Sequence, residues 1–323
     1  MKVLVTGSDG FVGSVFCWVA REAGDHVVGT SRNLRFTLKG CQSTKLDIAD
    51  KDACLNIVKA FAPDAIIHCA RYTVGLGQCE KDRETAFKIN ALGTRYMVKG
   101  AEGVGASFAY ISTDWIFSGK KPPGETYKED DEACPLNYYG VTKWAGEQEV
   151  EKAKVNWLIL RPANIYGVHG FFLESPFRPE PAVLERSSWV HKIITRLQQG
   201  EEIWLADTLH QSPVFVNQLA EVTLRLLKEG KTGIYNVGGG ESTTRYQFTR
   251  KAAEIFGLNQ ALVVKGTLRD LEENWGVSRE LSGIMPLNTS LDVQKVEKAL
   301  GIKMISFTEG LTRTREFLSG SKS

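Results

Sequence analysis

The sequence has no excess of charge of either sign and no long apolar segment. Forty Lys and Arg residues balance 38 Asp and Glu residues in a chain of 323, and no basic block breaks that balance. A near-neutral chain of this kind is not expected to bind nucleic acid or an anionic membrane surface. No apolar run approaches the roughly 20 residues needed to span a bilayer. We therefore predict no nucleic-acid partner and no membrane partner, and any anionic ligand must be bound by local groups.

Cysteine and histidine are few, and their spacing fits neither a metal site nor a disulfide framework. The six cysteines contain no C-x-x-C pair, and the five histidines form no ligand pair at helical spacing. No secretory signal precedes the first hydrophobic strand. We therefore predict no metal, reduced cysteines and a cytoplasmic location.

Short hydrophobic runs alternate with amphipathic segments through the first half of the chain. The predicted strands are 1–6, 26–30, 45–48, 65–70, 107–111 and 157–161, and the predicted helices between them include 52–61, 84–100 and 139–152. Such alternation predicts an α/β fold with a Rossmann-type doubly wound parallel sheet. Sheets of this type bind ligands at the carboxyl ends of their strands.

The pattern changes after Gly167 to a proline-rich loop and then a helix over 189–199. We predict an NADP-binding Rossmann domain over residues 1–168, with 212–233 packing back on it. Residues 169–211 and 234–323 are predicted to form a smaller α/β substrate-binding subdomain.

A glycine-rich turn, Gly7-x-x-Gly10-x-x-Gly13, joins the first strand to the first helix. Gly7 permits a sharp turn, Gly10 lets the backbone approach a pyrophosphate, and Gly13 lets helix and strand pack closely. An ordinary glycine-rich turn could share this spacing, but the flanking strand and helix favour a dinucleotide site. The other predicted cofactor contacts, in the turn and near strand ends, are Asp9, Phe11, Val12, Asp47, Ile48, Cys69, Ala70, Arg71 and Pro162.

The second strand lacks the acidic residue that usually binds the ribose 2′-hydroxyl of NAD. Thr30-Ser31-Arg32 stands at that position. Ser31 can donate a hydrogen bond to a 2′-phosphate and Arg32 can neutralise its charge. The sequence therefore predicts NADP(H) in preference to NAD(H).

Tyr139 and Lys143 lie four residues apart in a predicted helix, after a strand that leads to Thr113. Residues at this spacing share a helix face, so we expect the ammonium to lower the pKa of the phenol from its usual value of about 10. Tyr139 would then donate a proton to a carbonyl oxygen that Thr113 holds in line. An isolated Y-x-x-x-K is more often a surface pair, but its occurrence together with the glycine turn favours a functional site. The three residues predict carbonyl or alcohol redox chemistry.

Three separated motifs together resemble the extended short-chain dehydrogenase/reductase family over nearly the whole chain. They are Thr6-Gly7-x-x-Gly10-x-x-Gly13, the Thr113/Tyr139/Lys143 set, and Arg161-Pro162-Ala163-Asn164-Ile165-Tyr166-Gly167. Within that family, Ser112-Thr113-Asp114 and Pro135-Leu136-Asn137-Tyr138-Tyr139-Gly140 are most similar to the dTDP-4-dehydrorhamnose reductases. The sequence departs from those reductases at Met285, in the loop 71–77 and in the insertion 171–186.

The resemblance implies hydride transfer from NADPH to C4 of a nucleotide-linked 4-keto-sugar, with Tyr139 as proton donor. Lys143 would also hold the nicotinamide ribose, and a homodimer is possible. An aspartate in this position can equally form a turn, and a loop arginine is often only solvated. The predicted substrate contacts are Tyr72, Thr113, Asp114, Asn164, Arg178, Arg186 and Arg245.

Other reactions of the same family are less well supported by the residues present. Dehydratases use an Asp-Glu pair after the threonine, whereas Trp115 follows Asp114. Epimerases commonly place an arginine where this chain has Gln211-Ser212-Pro213, so an epimerase is weakened but stays an alternative. A third possibility is a non-catalytic NADP-binding regulatory subunit similar to the β subunit of methionine adenosyltransferase, against which the retained triad argues.

Overall fold

A parallel β-sheet forms the centre of the computed structural model, which describes residues 1–72, 75–174, 188–270 and 278–319. Its strands run in the order β10-β6-β5-β4-β1-β2-β3, and β9 pairs with β6. The strands of the described chain are Lys2–Thr6 (β1), His26–Ser31 (β2), Gln42–Lys45 (β3), Ala65–His68 (β4), Ser107–Ile111 (β5), Trp157–Tyr166 (β6), Ile203–Ala206 (β7), His210–Gln211 (β8), Pro213–Phe215 (β9), Gly233–Val237 (β10), Thr243–Thr244 (β11) and Val263–Gly266 (β12).

The helices cover both faces of this sheet and build a smaller layer beside it. They are Phe11–Glu22 (α1), Lys51–Phe61 (α2), Gly75–Lys81 (α3), Arg83–Phe87 (α4), Gly93–Val104 (α5), Tyr138–Glu151 (α6), Gly170–Glu174 (α7), Trp189–Gln198 (α8), Val216–Lys228 (α9), Arg245–Ile255 (α10), Arg279–Ser282 (α11), Gln294–Leu300 (α12) and Phe307–Ser319 (α13). Lys88–Leu92 forms a π-helical turn, and Asp114–Ile116 and Gln260–Leu262 form 3₁₀ turns.

The chain runs outward in two directions from β1, which confirms the predicted doubly wound sheet. Thr6 pairs with Thr30 of β2 on one side and with His68 of β4 on the other. The connections leave β1 and β4 in opposite directions, so a crevice forms at the carboxyl ends of these neighbouring strands. The glycine turn after β1 opens into that crevice.

Alternating side chains of β1 enter two separate apolar cores. Val3 and Val5 pack with α1 and α9 on one face, whereas Leu4 packs with α2 and α5 on the other. Because both faces are covered, the strand is apolar throughout rather than alternating. A smaller core of Ile203, Val263 and neighbouring residues lies between the β7–β12 pair and helices α8 and α10.

The third strand was predicted at 45–48, but it lies at Gln42–Lys45. Val28 pairs with Gln42 there, and the strand is polar because it forms the edge of the sheet. Leu46 and Ile48, whose apolar character suggested a strand, are buried in the core after it ends. The helix predicted at 84–100 is also interrupted, by the π-helical turn.

Two segments assigned to the substrate-binding subdomain belong instead to the main sheet. Ile234 of β10 pairs with Ile159 of β6. Val296 and Leu300 of α12 are buried in the same core as Val15 of α1. A short apolar strand carries no signal of which sheet it joins, so the sequence could not decide this. With these corrections, the division into two units stays a prediction.

Within the described chain, no helix combines the length and the apolar character that a membrane crossing requires.

Candidate active site

The glycine turn after β1 has the geometry that a dinucleotide diphosphate requires. Gly7 adopts a left-handed φ of 70°, and a Cβ on Gly13 would lie only 2.2 Å from the carbonyl oxygen of Gly7. Gly10 begins α1 without a side-chain cap. The amino end of α1 is thus not blocked by a capping side chain, and such an end attracts phosphate groups. These residues fit the diphosphate of a nicotinamide dinucleotide.

The end of β2 presents the residues predicted to select the cofactor. Ser31 is buried and its hydroxyl accepts a hydrogen bond from the Leu34 amide at 2.9 Å, so its proton is free to be donated. Arg32 is exposed. Asp9 of the glycine turn is buried, and its carboxylate accepts from the Arg35 amide at 3.4 Å.

The other predicted cofactor positions also lie at or close to the carboxyl edge of the sheet. The amide of Ala70 donates to the hydroxyl of Thr6 at 3.1 Å, which fixes the end of β4 against β1. Asp47 caps its own turn through the Ala49 amide, and Ile48 is buried. The structure places Phe11 and Val12 in the first turn of α1, Cys69 and Arg71 after β4, and Pro162 in β6.

Thr113 and Tyr139 meet at the end of β5. The hydroxyl of Thr113 lies close enough to the phenol of Tyr139 to lower its pKa, and the amide of Trp115 donates to the Thr113 hydroxyl at 3.3 Å. Tyr139 lies in the first turn of α6, which Asn137 caps through the Gly140 amide at 2.9 Å. The cap fixes where the helix starts, and therefore where the phenol points.

The buried amine of Lys143 is held beneath the site rather than against the phenol. Its Nζ donates to the carbonyl of Ile111 at 2.7 Å and lies 4.0 Å from the centre of the Tyr110 ring. Burial and, to a smaller extent, Arg71 lower the pKa of Lys143 to about 7, against the opposing effect of Glu147.

The expectation that Lys143 makes Tyr139 acidic is wrong in this structure. Burial raises the pKa of Tyr139, and the cation that opposes this effect is Arg71, whose guanidinium lies 5.8 Å from the ring centre. The nearby hydroxyl of Thr113 also lowers the pKa of Tyr139. Tyr139 is therefore a neutral phenol near pH 7, which carries the proton that a donor needs.

A buried ion pair beneath Lys143 was missed by reasoning from the sequence. Arg161 binds both carboxylate oxygens of Glu147, with its Nη2 at 2.8 Å, and Ser112 donates to the same carboxylate at 2.5 Å. Glu147 is one helical turn after Lys143, so the sequence places both on one face of α6. The Arg161–Glu147 pair holds α6 against β6, and the bond from Ser112 holds it to the end of β5.

We expect Arg161→Met to destabilise the fold by roughly 3–5 kcal/mol, because it leaves the Glu147 carboxylate buried without its partner. Chemical denaturation measures this change. The exposed pair Arg313 and Glu309 is a matched control, and Arg313→Met should cost less than about 1 kcal/mol. Equal losses in the two variants would show that burial of the pair is unimportant.

Asn90, in the π-helical turn, was also missed. Its amide oxygen accepts from the Tyr72 amide at 2.8 Å, and its Nδ2 donates to the Thr142 hydroxyl at 2.9 Å. It therefore connects the loop after β4 to α6. Such turns are frequent at functional sites, but the sequence has no signal that distinguishes one from an ordinary helix.

Asp114 was predicted to contact substrate, but both of its carboxylate oxygens bind protein hydroxyls. Thr113 donates to one at 3.1 Å and Thr289 donates to the other at 2.5 Å. The side chain is 2% exposed. Burial raises the pKa of Asp114 to about 6, while these hydroxyls and Arg245 act in the opposite direction. Asp114 thus holds the hydroxyl of Thr113 in position through a hydrogen bond.

The raised pKa of Asp114 predicts a pH-dependent cost to stability. Between about pH 4 and pH 6 the folded protein holds a proton that the unfolded chain has released, so stability falls as pH rises through this window. The two-unit shift corresponds to roughly 3 kcal/mol. In urea titrations, we expect wild type to lose about this much relative to Asp114→Asn between pH 4 and pH 7. A difference that stays constant with pH would contradict this.

The remaining predicted substrate residues differ in their surroundings. Asn164 has a left-handed φ of 38°, and its buried Nδ2 has no hydrogen-bond partner among the described residues. The hydroxyl of Tyr72 donates to Asp82 at 3.1 Å. Arg178 and Arg186 lie outside the described residues. Among the described residues, no cluster of three or more His, Cys, Asp or Glu could hold a metal ion.

A doubly wound parallel sheet with this glycine turn and a Thr-Tyr-Lys set defines a class of protein, the NAD(P)-dependent oxidoreductases of the short-chain dehydrogenase/reductase type. The family described as "RmlD substrate binding domain" matches residues 1–318. The chain belongs to that family, as its motifs predicted.

Individual relatives cover nearly the whole chain at low identity. The probable low-salt glycan biosynthesis reductase Agl14 of Haloferax volcanii is 28% identical over 311 residues and 96% of each chain. Methionine adenosyltransferase 2 subunit beta of Pongo abelii is 29% identical over 93% of this chain and 83% of its own. The dTDP-4-dehydrorhamnose reductase of Bacillus anthracis, crystallised with NADP, has a TM-score of 0.79 at 26% identity, covering 97% of this chain and 98% of its own.

Proposed function

We propose that the protein is an NADPH-dependent reductase of a nucleotide-linked 4-keto-sugar, similar to dTDP-4-dehydrorhamnose reductase. The observation that carries the proposal is that Thr113 and Tyr139 lie next to each other at the end of β5, beside a glycine turn that fits a dinucleotide. The reductase from Bacillus anthracis and the Haloferax reductase support the same reaction class.

Each residue of the site has a separate role in the proposed carbonyl reduction. The nicotinamide dinucleotide, when bound, supplies the hydride for C4. Tyr139 donates its proton to the carbonyl oxygen, and Thr113 lies within hydrogen-bond reach of the phenol that does so. The positive charge of Arg71 near the ring stabilises the phenolate that remains. Lys143, held by the Ile111 carbonyl, is placed to contact the nicotinamide ribose.

The preference for NADP(H) is supported by the end of β2. Ser31 has a free hydroxyl proton and Arg32 is exposed to receive a 2′-phosphate, and neither position carries an acid that would repel it. Michaelis constants for the two cofactors test this assignment, and a lower constant for NADH would refute it.

An epimerase is a second candidate from the same family. It would retain NAD tightly and would consume no NADPH during turnover. The residues at the end of β2 favour the other cofactor, and Gln211-Ser212-Pro213 lacks an arginine.

A non-catalytic regulatory subunit is a third candidate, supported by the relatives named methionine adenosyltransferase 2 subunit beta. The intact Thr113, Tyr139 and Lys143 set favours catalysis instead. A stoichiometric enzyme partner in a pull-down, with function unchanged in Tyr139→Phe, would support this candidate.

Size-exclusion chromatography of the purified protein tests whether it forms the homodimer that the family resemblance allows.

The reductase proposal is tested by a screen of NADPH oxidation. Nucleotide-linked 4-keto-sugars are generated in situ by a dehydratase and offered to the purified protein. We expect oxidation with at least one of them. Stoichiometric NAD bound to the purified protein, without net loss of NADPH, would overturn the proposal.

A further inference from the structure

A small cavity lies beside the 3₁₀ turn that follows Thr113. Its lining includes Trp115, His210, Gln211, Arg245, Met285 and Thr289. These residues come from the 3₁₀ turn after β5, from strand β8, from the start of α10 and from the segment after α11. The cavity is thus formed where the second unit meets the carboxyl edge of the main sheet.

One residue of this lining contacts Tyr139 directly, and another is linked to Thr113 through Asp114. The ring of Trp115 contacts that of Tyr139 edge-on, with centroids 6.3 Å apart. The hydroxyl of Thr289 donates to Asp114, whose other oxygen accepts from Thr113. A group bound in the cavity therefore lies close to the oxygen that Tyr139 protonates.

Arg245 is a cation without a counter-ion in this cavity. Its Nε is buried and has no hydrogen-bond partner, and among the described residues its guanidinium makes no ion pair. Burial lowers the pKa of Arg245, and Asp114 is the acid that opposes this effect. Asp114 is not a direct partner, because both of its oxygens are bound by hydroxyls.

The free-energy cost of leaving the Arg245 guanidinium unpaired indicates that a ligand binds there. Leaving a charged group partly buried and unpaired is unfavourable, whereas Arg161, which is buried, has ionic and hydrogen-bond partners. Arg161 binds the Glu147 carboxylate and the Glu129 carbonyl. An unpaired cation kept in a cavity beside a catalytic group is typical of a binding site.

We propose that Arg245 binds an anionic oxygen group of the substrate, within about one sugar ring of the carbonyl that is reduced. This inference rests on the proposed function. Of the three arginines predicted to contact substrate, it concerns Arg245. Guanidinium binds phosphate and carboxylate oxygens with the same bidentate geometry. The group is therefore either the diphosphate on C1 or a carboxylate carried by the sugar.

Arg245→Met tests the proposal, with Arg250→Met as the matched control. Arg250 lies on the same helix, but it is exposed. Isothermal titration calorimetry of the full chain measures the affinity for dTDP, thymidine, UDP-glucose and UDP-glucuronate. The Arg250→Met variant should bind each probe within about 3-fold of wild type.

If the group is the diphosphate, Arg245→Met weakens dTDP about 10- to 100-fold and leaves thymidine within about 3-fold. If it is a sugar carboxylate, Arg245→Met leaves dTDP unchanged and abolishes a preference for UDP-glucuronate over UDP-glucose. Affinities that are unchanged for all four probes, or no binding of any probe to wild type, would overturn the proposal.

Thermal unfolding separates this binding role from a structural one. Replacing a partly buried, unpaired cation by an apolar side chain should leave Tm unchanged or raise it. A large fall in Tm for Arg245→Met would indicate a structural role and overturn the proposal. NADPH oxidation serves as the independent readout. If the screen finds no oxidation but Arg245→Met still weakens anion binding, the reductase assignment fails and the anion site stands.

Discussion

Tyr139→Phe should lower kcat for carbonyl reduction by at least about 10²-fold, the usual scale for losing a general acid. The substitution removes only the hydroxyl that lies beside Thr113, so we expect the fold and the binding of NADPH to persist. Steady-state assays of NADPH oxidation measure the loss, and fluorescence titration of NADPH shows that the cofactor still binds.

The adjacent residue offers a matched control for this prediction. Tyr138 also lies in the first turn of α6, and its ring lies 4.9 Å from the guanidinium of Arg83. Its hydroxyl has no part in the proposed chemistry, so Tyr138→Phe should keep kcat within about 3-fold. A Tyr139→Phe variant with wild-type kcat would exclude Tyr139 as the proton donor.

Gly13→Ala should nearly abolish use of the dinucleotide, because a Cβ there would lie 2.2 Å from the Gly7 carbonyl oxygen. Backbone atoms cannot yield as a flexible side chain can, so the turn itself must shift. A displacement of about 1 Å near reacting groups can cost about 10²-fold in activity. We therefore expect a loss of this size in kcat/KM for the dinucleotide, with reduced stability from the overpacked contact.

Gly103 in α5 is the control for the same chemical change. A Cβ at that position would meet nothing within 4 Å. Gly103→Ala should therefore raise stability by up to about 1 kcal/mol through helix propensity and leave activity unchanged. If Gly13→Ala behaved like Gly103→Ala, the close contact between turn and helix would not matter for cofactor binding.

Much of the fold and of the catalytic set could be predicted because those features are local in the sequence. The glycine spacing between β1 and α1 specifies the turn directly. The four-residue spacing of Tyr139 and Lys143 specifies a shared helix face. Alternating strands and helices specify a parallel sheet, and the carboxyl ends of its strands then bring distant residues to one edge.

The electrostatics of the site could not be predicted, because they depend on contacts between residues far apart in the chain. Spacing alone placed a cation beside Tyr139, but Lys143 is taken by the Ile111 carbonyl and Arg71 acts on the phenol instead. Asp114 is likewise enclosed by Thr289, which lies 175 residues later. These pairings change the role of each residue without altering the motif that contains it.

The assignment of β10 to the substrate-binding subdomain was wrong for a related reason. The five residues of β10, which include the polar Asn236, carry no signal of the strand with which they pair. Only its pairing with β6 shows that it extends the main sheet. The unpaired guanidinium of Arg245 is similar, since a sequence cannot show which charged groups lack a partner.

Transfer of an isotope from the cofactor to the sugar tests the proposed reduction at the bond that forms. The protein is given NADPH deuterated at C4 of the nicotinamide, on each face in turn, together with a nucleotide-linked 4-keto-sugar. The sugar product is then analysed by mass spectrometry and NMR. We predict deuterium on C4 of the sugar from one face, with one NADPH oxidised for each sugar reduced. Product without deuterium from either face, or complete retention of NADPH with every sugar offered, would contradict the proposed chemistry.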